Sequence, residues 1–324
     1  MKIFRHLLLT LIISGSVFSL LFAGDYGGYA GAFLRMGLGA RPKALGGAFT
    51  AIAEGNYAGY YNPGGLPRNN YRELSLSYRA LSLDRQLGYA GIVIPLTPKT
   101  KTGKKAFNAG LHLGWIYAGV DNIDGRNSRG EHYGSFSNSE NAFTFGFAIQ
   151  PMSMLSLGFT TKILYSRFPR MTLQDESLTS KGLGFDVGAL VTPLPGLSLG
   201  IVVKDLRSKN SWNTENVWDR GTTTYDEFPT ILRVGIAYRL LADQLLLAAD
   251  FEDNKKQPGK LHLGIEYSPL KTLFLRAGIS STEPAFGFGY LFKIWRFNSA
   301  LDYAYAADEV APAGEHIFSW SFRL

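Results

Sequence analysis

Eleven ionisable residues stand out by the company they keep: Lys162, Asp186, Lys204, Arg233, Arg239, Asp250, Glu252, His262, Glu266, Arg276 and Asp302. Each falls on the small-residue face of a segment whose other face is bulky and apolar. Charges placed this way can hold a ligand, line a polar path, or neutralise one another in a closed interior. Both signs are present and no single-sign ring emerges, so mutual ion pairing is the expected arrangement, with a polar path or ligand site as the alternative. Catalysis finds little to work with. His112, His132, His262 and His316 are scattered, and no nucleophile elbow, His-Glu-x-x-His helix or phosphate loop occurs. Asp121-Asn122-Ile123-Asp124-Gly125 imitates a calcium loop but lacks its full ligand set and terminal Glu, so it reads as a polar loop. With no cysteine there is no disulfide and no Cys-ligated metal. The expectation is a protein that is not an enzyme, with no catalytic residues, metal or cofactor.

The elements that must position these charges are strands. In Asn141–Gln150, Phe143, Phe145, Phe147 and Ile149 share one face, and Ala142, Thr144, Gly146 and Ala148 the other. Successive strand side chains point to opposite faces. The same alternation runs through Leu155–Tyr165, Leu183–Val191, Leu232–Arg239, Leu261–Tyr267 and Ala300–Tyr305. A solvated face would carry Lys, Glu and Thr, whereas this one carries Gly, Ala and single charges. A transmembrane barrel, with bulky apolar residues toward lipid and small or polar ones toward the lumen, explains that pattern.

Candidate strands lie near 71–80, 86–95, 106–118, 141–150, 155–166, 182–192, 197–206, 230–239, 244–252, 260–268, 272–280, 285–293, 296–306 and 314–324. That is about fourteen, an even number. The links alternate: 151–154, 193–196, 240–243 and 269–271 are short, while 119–140, 167–181 and 207–228 are long and polar; the exceptions are the short outer links 81–85 and 281–284 and the long link 96–105. Short periplasmic turns and long outer loops are the parity of a bacterial outer-membrane barrel. The expected fold is therefore all-β, a transmembrane antiparallel barrel of about 14 strands with an N-terminal helical hatch in the lumen.

The remaining segments are read around that barrel. Lys2, Arg5 and the apolar run Leu7–Phe22 read as a cleaved signal peptide over 1–23. Removing Lys2 and Arg5 takes the formal charge from +7 to +5. No basic stripe with interleaved aromatics occurs, so nucleic acid is not an expected partner. Residues 24–69 form the expected hatch and 70–324 the barrel. The terminal alternation Phe318, Trp320, Phe322, Leu324 resembles the signal read by the outer-membrane assembly machinery. In the hatch, Pro42 suits the first turn of a helix, and Leu45, Ala48, Phe49 and Ile52 share one helical face. Asn62-Pro63 and Gly64-Gly65 then make a turn into the first strand.

Three hatch motifs carry a resemblance: Gly37-Leu38-Gly39-Ala40-Arg41, Leu45-Gly46-Gly47-Ala48-Phe49-Thr50-Ala51-Ile52-Ala53 and Tyr60-Tyr61-Asn62-Pro63-Gly64-Gly65-Leu66. They resemble the N-terminal signature of the PorV/PorQ proteins, a group within the FadL-like outer-membrane superfamily. Asn62-Pro63-Gly64 stands where that superfamily has an Asn-Pro-Ala-type turn, with Gly64 in place of Ala. The resemblance implies a bacterial outer-membrane location with the N-terminus periplasmic and membrane lipid around the barrel. It also implies one of two functions. The first is a secretion-associated, type IX-like factor binding protein cargo or secretion components. The alternative is a FadL-like passive transporter of hydrophobic small molecules. In the second case Phe33, Leu34 and Phe49 would line an apolar pocket beside Asn62, Pro63 and Gly64. Packing of the hatch against the wall is the competing expectation. For Arg35 and Arg41 two arrangements are equally expected: pairing with lumen acids such as Asp186 or Asp302, or solvation within the hatch.

Overall fold

The computed structural model describes residues 29–99, 107–169, 177–215, 220–254, 256–307 and 314–324. The expected signal peptide lies outside them. The wall is built from β1 (Glu73–Ala80), β2 (Arg85–Leu96), β3 (Asn108–Arg126), β4 (His132–Met152), β5 (Leu155–Phe168), β6 (Leu178–Leu194) and β7 (Leu197–Asn213), then β8 (Thr223–Glu227), β9 (Ile231–Leu240), β10 (Leu245–Asn254), β11 (Gln257–Leu270), β12 (Leu273–Ser280), β13 (Glu283–Ile294), β14 (Phe297–Ala306) and β15 (Glu315–Arg323). All neighbours are antiparallel. β1 pairs with β15, Glu73 opposite Arg323 and Ala80 opposite His316, which closes the barrel.

Fifteen strands make a fourteen-position wall. β7 pairs with β9 along its first half, up to Lys204 opposite Ile231, and with β8 along its second, from Lys209 opposite Glu227. β8 and β9 therefore share one wall position, interrupted at residues 228–230. The expected count of fourteen holds for the barrel, and the extra segment is a break that alternation alone does not announce.

The alternation faces the way the sequence predicts. Phe143 and Phe145 are 49% and 45% exposed, while Ala142 and Thr144, which alternate with them, are buried. A band of Leu, Ile, Phe, Tyr and Trp covers the outside in this manner, an arrangement that water would penalise and hydrocarbon would not. One strand inverts it in part. In the first half of β2 Leu87 and Tyr89 face inward and Gly88 and Ala90 outward, whereas beyond Gly91 the outward residues are again Ile92 and Ile94.

Two expectations need correction. The region 119–140 is not an irregular loop. β3 continues to Arg126 and β4 begins at His132, so the two extend the wall as a hairpin. A strand of roughly 10 residues spans a bilayer, so β4, with 21, projects well beyond one. Its hydrogen-bonded backbone allows polar residues such as Asn138 and Glu140 to stay in strand form outside an apolar layer. Second, the expected hatch helix extends only over Ala40–Ala44, and Ala58–Tyr61 makes a second short helix. Gly46 and Gly47 follow the first at φ 64° and 84°, a left-handed pair that stops the helix before Phe49 and Ile52 can stack on it. Those side chains are buried by a folded turn instead.

Candidate functional site: a plugged lumen with two cavities

The hatch occupies the lumen because the wall opposite it has almost no side chains. Rows of small inward residues run across the strands: Gly110, Ala148, Gly158 and Gly188 are consecutive partners over β3–β6, and Ala248, Gly264, Gly278 and Ala285 over β10–β13. Hatch backbone lies directly on these rows. A Cβ on Gly158 would stand 2.6 Å from the Pro63 carbonyl, and one on Gly264 2.6 Å from the Leu45 carbonyl oxygen. The Gly and Ala of the inner face are thus a seat for backbone, not a lining for open space.

Polar anchors then fix the hatch to the wall. Asp250 on β10 accepts the backbone N–H groups of Phe49 and Thr50, at 2.9 and 2.8 Å. His262 on β11 donates from Nδ1 to the Gly46 carbonyl at 2.8 Å. Asn62 accepts from the Gly64 N–H and donates to the carbonyls of Thr50 and of Ala189 on β6. Asn62 is thus both the cap of the Pro63–Arg68 turn and a cross-link to the wall, which explains an Asn-Pro-Gly sequence there. Pro63 and Gly64 are buried in that turn.

The charges pair as a network. Arg41 contacts Glu54 at 2.6 Å and Glu266 at 2.8 Å. Arg276 contacts Glu266 and Asp302, each at 2.6 Å. Lys162 bridges Asp186, at 2.8 Å, and Asp205. Arg233 pairs with Glu252. Arg41 thus takes Glu266 and Glu54 in place of the expected Asp186 or Asp302. Arg35 pairs with no lumen acid among the described residues and donates to the carbonyls of Tyr29 and Ala30. Burial would raise the Glu54 carboxyl, but Arg41 and Arg239 outweigh it and hold the group well below the usual carboxylate range.

Phe33 and Leu34 are 4% and 1% exposed and pack within the core of the hatch. Phe49 has a more specific position. The end of the barrel carrying the short turns holds a cavity of about 230 Å³ lined by Phe49, Arg41, Glu54, Tyr57, Glu73 and Asp302. The other end, with the long hairpins, holds one of about 300 Å³ lined by Tyr60, Tyr61, Arg35, Lys204, Arg233 and His262. Phe49 faces one cavity and Tyr61 the other, and their ring centroids are 5.2 Å apart. Tyr60 stacks edge-on against Tyr61 at 4.8 Å. The Tyr61 hydroxyl donates to the Leu38 carbonyl at 3.0 Å, and Tyr60 to the Leu34 carbonyl at 2.6 Å. Burial pushes the Tyr60 phenol up to about 12, so it stays a neutral donor. The two cavities are thus lined by neighbouring aromatic rings. Tyr60 and Tyr61 stood in the motif, but their role needs the fold of the turn around them. Asp205 left no signal, because strict alternation would put it outside.

No protein-family profile matches the chain, and no curated protein sequence matches it either. Solved structures do match. The P. putida toluene transporter TodX superposes with a TM-score of 0.61 at 15% identity, covering 89% of this chain and 99% of its own. The CymD monoaromatic hydrocarbon channel gives 0.61 at 14%, covering 89% and 96%. A Pseudomonas aeruginosa FadL homologue gives 0.55 at 12%, covering 86% and 95%. The chain has the fold of these FadL/TodX-type barrels, along nearly its whole length.

Proposed function

We propose that the protein is a plugged outer-membrane channel of FadL/TodX type that passes hydrophobic small molecules passively, without catalysis. The observation that carries this reading is the whole-length likeness to TodX and CymD. The apolar outer band supports a membrane setting, and its closed barrel leaves no strand edge unpaired in lipid. In this reading the short turns face the periplasm, the long hairpins face outward, and residues 1–23 are an export signal. The domain division at residue 69 follows from the same reading. The test is uptake of toluene by vesicles holding the purified protein, against vesicles holding a variant whose hatch is cross-linked shut. Equal uptake in both would end it. Orientation is tested separately: a cysteine at Asn213, exposed on β7, should react with an impermeant label on intact cells.

A second reading is that of a PorV/PorQ-type secretion factor. The hatch motif and the projecting β3–β4 hairpin support it. It predicts protein partners that co-purify from native membranes and are lost on shortening that hairpin. The structural neighbours favour transport.

A further inference from the structure

Lys204 is the exception among the buried cations. Arg79, Lys162, Lys204 and Arg276 are the buried Lys and Arg residues among those described. Arg79 pairs with Glu315, Lys162 with Asp186 and Asp205, and Arg276 with Glu266 and Asp302. Lys204, 4% exposed, makes no ion pair among the described residues. Its Nζ lies 3.7 Å from the centroid of the Tyr60 ring. Burying an ammonium without a counter-charge is costly, and an aromatic face offsets only part of that cost.

The wall is distorted where this lysine stands. Asp205 and Arg207 have φ of 57° and 50°. Opposite them, pairing passes from β9 to β8 across residues 228–230. The distortion breaks the alternation, so consecutive side chains, Lys204 and Asp205, are both buried on the inner side. Strand irregularities commonly re-aim a side chain in this way. Asp205 is taken up by Lys162. Lys204 is left lining the long-hairpin cavity together with Arg35 and Arg85; of the carboxylates on the same lining, Glu252 is taken up by Arg233 and Glu315 by Arg79, and Glu283 lies there as well. Arg35 is tied to backbone carbonyls and Arg85 to Ser82, and neither has a carboxylate partner among the described residues. The cavity's about 300 Å³ equals roughly ten water volumes at about 30 Å³ each.

We propose that this cavity is a binding site for a small hydrophilic oxyanion of the phosphate type, with Lys204 as its principal ligand and Arg35 as a second. A phosphate supplies the direct ion-pair partner that Lys204 lacks, and acceptor oxygens for both cations. The inference goes beyond hydrocarbon passage and does not depend on it.

The experiment is titration of the purified full-length protein in detergent with inorganic phosphate, followed by calorimetry and by the thermal midpoint. Wild type should bind saturably and gain stability. Lys204→Met should bind at least tenfold more weakly, keep its heat-modifiable gel mobility, and gain no stability from phosphate. Arg35→Gln should show a smaller loss. Lys209→Gln, on the exposed side of β7, should bind like wild type. Unchanged binding in Lys204→Met, or no saturable binding by wild type in the millimolar range, would overturn the proposal. Short-chain phosphatidic acid provides a second arm. Preference for it over inorganic phosphate at equal phosphate concentration would point to a lipid headgroup and overturn the dissolved-anion assignment. Toluene uptake with no phosphate binding would leave the transport reading standing and remove this one.

Discussion

Arg41 of the hatch and Glu266 of β11 face each other fork to fork, Nε to Oε2 at 2.8 Å and Nη2 to Oε1 at 2.9 Å. The same Glu266 oxygen also takes Arg276 Nε at 2.6 Å, and the same Arg41 reaches Glu54. Hatch and wall thus share one charge network. Its members are not equivalent. Arg41→Met leaves Glu266 with Arg276 and Glu54 with Arg239, so the loss should be that of charged hydrogen bonds, about 1.5–3 kcal/mol. Arg276→Met strands the buried Asp302 and should cost about 3–5 kcal/mol. Urea midpoints for the two variants in the same lipid give the order, and a reversed order would contradict the network.

The ring pair makes a sharper claim about permeation. Phe49 and Tyr61 touch each other and line opposite cavities. Phe49→Ala should join them and raise single-channel conductance in planar bilayers several-fold, with the hatch still seated by Asp250 and Asn62. Leu38→Ala, which keeps the carbonyl that holds Tyr61, should leave conductance near wild type. If Phe49→Ala conducts no more than wild type, the barrier lies elsewhere.

The seat can be tested from the wall side. A Cβ at Gly158 meets the Pro63 carbonyl at 2.6 Å, whereas one at Gly88, on the outer face, finds nothing nearer than 3.9 Å. Gly158→Val should displace the hatch or cost about 1–3 kcal/mol by overpacking. Gly88→Ala should be neutral. Limited proteolysis of residues 29–69 in folded barrels reports the displacement.

Acid should loosen the hatch in a defined direction. The folded-state pKa of Glu54 is depressed, so its stabilisation is present above the ordinary carboxylate value of about 4.3 and is lost as pH falls through the depressed one. Glu54→Gln should therefore be less stable than wild type at neutral pH and show a flatter acid limb. Thermal midpoints between pH 3 and 7 check both halves. Parallel curves would remove Glu54 from the acid response.

The barrel was legible because its pattern is local. A period of two with bulky residues on one side and Gly, Ala and lone charges on the other needs only the geometry of a strand and a lipid exterior. Phe143, Phe145 and Phe147 alone announce it. That the lone charges face inward follows from the same rule, and Lys162, Asp186, Glu266 and Arg276 are all buried there. The hatch was legible as a break in that period, and its Asn62-Pro63-Gly64 turn as turn chemistry.

Partnership and depth were decided only by the tertiary structure. Arg41 chooses Glu266 over Asp302 because the Ala40–Ala44 helix, cut short by Gly46 and Gly47, sets its guanidinium over β11. Phe49 comes to line a cavity because Asp250 holds its N–H from across the lumen, 201 residues away in the chain. Lys204 and Asp205 share the inner side only because β7 is distorted where its partner strand is interrupted, a feature invisible to any local period. Strand alternation is a property of neighbouring residues, and so the amino-acid sequence carries it alone. Which charge meets which, and which ring lines which cavity, depends on the register of fourteen strands and on the path of one segment through them.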